Sequence, residues 1–156
     1  MNSKKWGPYA ASIIIALAVG FLSGLSTSTG MLNYEQLMKP PLTPPSVVFP
    51  IVWPILYILM GISAAMIWKS ESPYRKKSLG IYAVQLLVNA VWSVIFFTFQ
   101  AYFFAFLWLI LLWVLILKMI LCFYRIDPLA GLLQIPYLLW VSFAGYLSCA
   151  IWLLNR

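Results

Sequence analysis

The sequence contains no histidine, three acidic residues and two cysteines in 156 positions, and only 8 % of it is charged. Each shortage closes a class of function. Without imidazole there is no His-based triad, imidazole metal site or histidine general base. The carboxylates Glu35, Glu71 and Asp127 fall in connections between apolar runs, so paired-carboxylate catalysis is not expected. Cys122 and Cys149 both lie in apolar runs without metal-ligand spacing; they are buried small hydrophobes or a pair. No metal and no cofactor is expected.

Against those shortages stand 64 % hydrophobic residues, 17 % aromatic residues and a mean hydropathy of +0.96. A soluble domain carries about 25 % charged residues, and a small one has too much surface to cover with fewer. The composition therefore predicts a polytopic membrane protein. Ten Lys or Arg give a net charge of +7, but they punctuate the apolar runs. No basic stripe follows a phosphate backbone, which argues against nucleic acid as a partner.

Crossing the hydrocarbon takes about 20 residues at about 1.5 Å each. Five runs are long enough, at about 8–28, 46–68, 73–100, 102–125 and 128–154, and together they make 1–156 one all-α domain, a five-helix transmembrane bundle. The runs are continuously apolar rather than alternating, which excludes a β-barrel. Lys4 and Lys5 precede the first run as in a signal peptide, but its length and the four runs that follow favour a retained span. Ser72-Pro73 and Asp127-Pro128 read as helix caps followed by a first-turn proline. Only a tight turn near Gln100 and Ala101 fits between the third and fourth spans.

Basic residues set the orientation. Lys4, Lys5, Lys69, Arg75, Lys76, Lys77, Lys118 and Arg125 fall on the side of the N-terminus, and only Lys39 and Arg156 on the other. For a multi-pass protein of the cell membrane this predicts the N-terminus inside.

The one long connection, residues 29–45, ends in Lys39-Pro40-Pro41-Leu42-Thr43-Pro44-Pro45. Prolines fix φ and remove amide donors, so a stiff, extended path is expected. It is either a rigid cap over one end of the bundle or a connector.

Polar residues inside the spans carry more information. Asn89 lies near the middle of the third span, with Gln85 one turn before it and Trp92 three residues after. An amide in hydrocarbon needs a partner, so Asn89 makes an interhelical hydrogen bond or faces a ligand. Gln134 lies close enough to its helix start to be interfacial. Trp53 and Tyr57 share one helix face beside Pro50 and Pro54; Trp140 and Ala144 share another after Pro136. Tyr and Trp favour membrane interfaces, yet both tryptophans follow a helix-distorting proline. If these faces converge with Asn89 and with Tyr34 from the loop, they line a cavity suited to a flat, mostly apolar ligand. No span contains a central carboxylate or lysine relay for moving ions.

At these residues the chain resembles the translocator protein family, also called peripheral benzodiazepine receptors or tryptophan-rich sensory proteins. The likeness rests on Pro40-Pro41 through Pro44-Pro45, Phe49-Pro50-x-x-Trp53, Leu56-Tyr57-x-Leu59-Met60-Gly61, Asn89-x-x-Trp92 and Pro136-Tyr137-x-x-Trp140-Val141-x-Phe143-Ala144. The bacterial branch is the closer match, since no mitochondrial extension precedes the first span. The resemblance implies a homodimer of five-helix bundles whose hydrophobic pocket is closed by the first loop. It implies binding of porphyrins, of synthetic isoquinoline and benzodiazepine-type ligands and, in animals, of cholesterol. Carried onto this chain, the pocket residues are Tyr34, Trp53, Asn89, Trp140 and Ala144. The light-dependent degradation of protoporphyrin credited to bacterial relatives would fall to Trp53 and Trp140. The late fifth-helix stretch Leu147–Leu153 lacks the Tyr and basic residue of the animal sterol pattern, and Ser148 stands where the family commonly has Asn, so sterol transport is disfavoured.

The leading expectation is thus a membrane receptor or carrier for porphyrins, in contact with membrane lipid. The alternatives are a signalling or assembly protein and a small exporter of hydrophobic compounds. Five unrepeated spans argue against the exporter.

Overall fold

The computed structural model describes residues 3–28 and 30–156, with side chains from residue 6 onward. Thr29, at the start of the expected loop, and the Lys4 and Lys5 side chains of the charge count lie outside the described residues. The described chain is all helical: α1 (Ser3–Thr27), α2 (Gly30–Gln36), α3 (Val48–Lys69), α4 (Arg75–Ser93, prolonged as π-helix over Val94–Thr98), α5 (Tyr102–Ile126), α6 (Pro128–Leu132) and α7 (Ile135–Leu154). Five segments are long and apolar enough to cross a bilayer: Trp6–Thr27, Val48–Lys69, Arg75–Thr98, Tyr102–Ile126 and Pro128–Leu154. Helices satisfy their own backbone groups, which hydrocarbon requires. Ile14, Leu22, Leu87, Val114 and Leu139 turn outward, where lipid rather than water meets them. The chain is a multi-pass membrane protein.

The spans alternate in direction. One end of the bundle, the basic end, holds the α3–α4 and α5–α6 connections with Arg75, Lys76, Lys77 and Arg125; the other, the loop end, holds α2 and the proline segment. At the basic end the Arg75 guanidinium donates to the Trp68 and Ser70 carbonyls at 3.2 Å. Ser72 caps a turn that precedes the helix: its Oγ accepts from the Tyr74 N–H at 3.2 Å, and α4 begins at Arg75. Asp127 caps α6 directly, accepting from the Leu129 and Ala130 amides at 2.9 and 3.4 Å.

Two glycines let α1 lie along α3. A Cβ on Gly61 would come within 2.6 Å of the Ile13 Cα, and one on Gly20 would strike the Tyr57 ring. Small residues permit such backbone approach where lipid offers no hydrophobic drive between helices.

The first connection departs from a purely extended path. Its first part folds as α2, and only the proline-rich remainder is non-helical. Asn155, beyond α7, clasps that remainder: its Oδ1 accepts from the Met38 N–H at 3.0 Å and its Nδ2 donates to the Met38 carbonyl at 2.9 Å.

The fifth span is broken between α6 and α7. Pro136 has no N–H and its ring opposes the carbonyl four residues back, so α6 stops at Leu132 and α7 restarts at Ile135. Ser63 Oγ donates to the Ala130 carbonyl at 2.6 Å, tying α6 to α3. The break also corrects the reading of Gln134, which is fully buried rather than interfacial. Cys122 and Cys149 are free thiols.

Candidate functional site

On α4 the residues Ser78, Tyr82, Gln85, Asn89 and Trp92 recur at alternating spacings of four and three, so one stripe faces the bundle interior; all five are buried. Towards the loop end this stripe opens onto a cavity of about 520 Å3. Helix α1 supplies Leu17, Gly20, Phe21, Ser23, Gly24 and Thr27; α2 supplies Met31; α3 supplies Phe49, Pro50, Trp53, Pro54 and Tyr57; α4 and its π-helical end supply Trp92, Ser93 and Phe97. This volume falls within the range of about 300–1,000 Å3 typical of small-molecule sites. The wall is aromatic and apolar, and its polar side-chain groups are hydroxyls and the indoles of Trp53 and Trp92.

Trp53 lies on the wall, stacked on Tyr57 with ring centroids 5.7 Å apart. Trp140 approaches from α7, edge to face with Trp53 at 6.5 Å and with Phe49 at 5.8 Å. Tyr34, from α2, meets Phe49 at 6.0 Å and also packs on Phe96 and Phe97. Phe49 therefore joins Tyr34 to the two tryptophans. The Tyr34 and Trp140 polar atoms, like the Trp92 indole nitrogen, are buried without a protein partner. Burial raises the pKa of the Tyr34 hydroxyl, which stays protonated at neutral pH. Lys39 Nζ sits 4.5 Å from the centre of the Tyr34 ring.

Asn89 is one layer behind the wall, donating through Nδ2 to Tyr57 Oη at 3.4 Å. It reaches the cavity only through that hydroxyl. Ala144 is buried one helical turn beyond Trp140 and is not among the wall residues. The structure thus gathers Tyr34, Trp53 and Trp140 around Phe49, attaches Asn89 through Tyr57, and leaves Ala144 beside the cluster.

Several wall residues carried no functional assignment from sequence. Tyr57 and Trp92 were visible as partners of Trp53 and Asn89 in their spacings. Phe21, Ser23 and Phe97 carried no signal. The π-helical turn explains Phe97: with Phe99 N–H bonded to the Val94 carbonyl, Phe96 and Phe97 both reach the Tyr34 ring.

A second cavity, of about 570 Å3, lies between α5 and α7. Its indole, Trp113, donates to Ser142 Oγ at 2.8 Å, so that pair satisfies itself. Trp92 lines the α1–α3–α4 cavity, with its indole Nε1 buried and unpartnered. An aromatic cavity of this kind among membrane-spanning helices is a site for binding a hydrophobic ligand.

Comparison with known proteins agrees with this architecture. The chain is 38 % identical over 149 residues to the tryptophan-rich protein TspO of Chlorobaculum tepidum, covering 94 % of each. It is 37 % identical over 147 residues to protein CrtK of Rhodobacter capsulatus, covering 93 % of this chain and 91 % of that one. The human translocator protein is 33 % identical over 155 residues, covering 96 % of this chain and 91 % of its own. Residues 12–153 match the TspO/MBR family. The chain belongs to that family.

Proposed function

We propose that this protein is a membrane receptor or carrier for porphyrins of the protoporphyrin type. It also accepts similar flat hydrophobic molecules such as isoquinoline and benzodiazepine-type ligands. The observation that carries this reading is the unbroken run of rings Tyr34–Phe49–Trp140–Trp53–Tyr57 beside the cavity. Each ring offers a flat or edge contact, worth about 0.5–1.5 kcal/mol beyond area burial. Asn89 holds Tyr57, and Ala144 leaves room beside the Trp140 indole. The wall has no charged side chain, so porphyrin carboxylates extend toward the loop end, where Lys39 lies over Tyr34. The protein acts as a homodimer in the bilayer, with its N-terminus inside.

A finer step belongs to the same reading. Trp53, on the cavity wall, and Trp140, packed behind it, take part in the light-dependent degradation of the bound macrocycle. The test is a protoporphyrin titration of the purified protein, first in darkness and then under light, with Trp53→Phe and Trp140→Phe alongside. Binding in darkness supports the receptor. A photoproduct that disappears in the variants while dark binding persists supports the chemistry. No binding in darkness overturns both.

A further inference from the structure

Away from the cavity, the α4 stripe continues toward the basic end as a buried polar file that ligand binding does not use. Its bonds run in order along the helix. Asn89 donates to Tyr57 Oη. One turn further, Tyr137 Oη donates to Gln85 Oε1 at 2.8 Å, and Gln85 Nε2 faces Met60 Sδ at 4.0 Å. The Tyr137–Gln85 bond ties α7 to α4, and both helices run from the basic end to the loop end. Three residues earlier in sequence lie Gln134, at the head of α7, and Tyr82, on α4.

There the protein partners run out. Gln134 is 0 % exposed, yet neither its Nε2 nor its Oε1 has a partner, and the Tyr82 hydroxyl is buried and unpartnered as well. Buried amides and hydroxyls are bonded in folded proteins, and hydrocarbon supplies nothing else to bond them.

We propose that the level of Gln134 and Tyr82 is a binding site for water. Bound water there links the two residues and prolongs the Tyr57–Asn89 and Tyr137–Gln85 bonds into one file from the cavity wall toward Ser78 at the basic end. Ser78 to Trp92 spans fourteen residues, or about 21 Å of helix. Water suits the site because it donates and accepts, as an amide and a hydroxyl together require. An ion does not suit it: the buried polar residues on these helices, Ser63, Ser78, Gln85, Asn89 and Gln134, are all neutral and offer no countercharge.

Radiolytic labelling of the full chain in lipid nanodiscs, in water enriched with oxygen-18, tests this. Met60 and Met119 form a matched pair, each 0 % exposed, and Met60 Sδ faces Gln85 of the file. Met60 and Tyr82 are expected to take up label severalfold faster than Met119. Gln134→Leu is expected to slow labelling of Tyr82 severalfold and leave Met119 unchanged. Equal, slow labelling of Met60, Tyr82 and Met119 in the native chain overturns the proposal, and this comparison needs no variant to fold. Unchanged Tyr82 labelling in folded Gln134→Leu overturns it too.

Discussion

Trp53 and Trp140, from different membrane spans, meet edge to face with ring centroids 6.5 Å apart and planes at 88°. The face of Trp53 is occupied by Tyr57, stacked on it at 29°. Trp140 therefore fixes the ring that forms the cavity wall. Among the aromatic pairs that Trp140→Ala removes, the one with Trp53 is the pair that backs the wall. An aromatic pair is worth about 0.5–1.5 kcal/mol, and about 1.4 kcal/mol is tenfold in affinity. Protoporphyrin binding in darkness is expected to weaken by up to about tenfold, read from the shift of the porphyrin absorbance band.

Lys39 separates ligands by charge. Its ammonium lies over the Tyr34 ring and also donates to the Glu35 carbonyl at 3.3 Å, at the loop end, toward which the proposed binding mode directs a porphyrin's carboxylates. Lys39→Gln is expected to weaken binding of the dicarboxylate protoporphyrin severalfold and to leave a neutral isoquinoline ligand unaffected. Parallel titrations of the two ligands check this. An equal loss for both contradicts the placement.

The clasp between Met38 and Asn155 tethers the first loop to the end of α7. Its two hydrogen bonds, at 3.0 and 2.9 Å, are worth about 1 kcal/mol each. Asn155→Ala is expected to speed ligand release and to raise the proteolysis rate within the proline segment, with the spans intact. Stopped-flow dissociation and limited proteolysis measure the two effects.

Glycines of the bundle differ sharply in what they tolerate. A Cβ at Gly61 would meet the Ile13 backbone, whereas one at Gly24 meets nothing within 4 Å. Gly61→Ala is expected to cost about 1–3 kcal/mol as overpacking and to lower the thermal midpoint by several degrees. Gly24→Ala is expected to leave it unchanged. Thermal scans in one detergent compare them directly.

Much of the fold was legible because hydropathy and length alone specify spans in a bilayer: α5 runs from Tyr102 to Leu117 without a charge and carries only Lys118 and Arg125 in its last third. The aromatic site was legible where a residue stood out against its span, as Trp53 did beside two prolines. What was hidden depends on tertiary geometry. Gln134 looked interfacial because it stands near the start of its span, but Asp127 caps that span seven residues earlier, about 10 Å along a helical path. Its amide thus lies well inside. Helix α2 was hidden by the proline run that follows it, which dominates the reading of the whole loop. The π-helical turn at Val94–Thr98 leaves no periodic trace, yet it sets Phe96 and Phe97 against Tyr34. Asn89 illustrates the remaining ambiguity: its position demanded a partner, and the structure supplies Tyr57 on the wall, with Asn89 one layer behind it.

The central claim is that the cavity between α1, α3 and α4 holds the porphyrin. Dark titration of Gly24→Trp, which places an indole against that cavity, tests it most directly beside Leu87→Trp, which places one on the lipid-facing side of α4. The expected result is that Gly24→Trp folds and loses the porphyrin absorbance shift while Leu87→Trp keeps the native affinity. Native affinity in both variants would contradict the account.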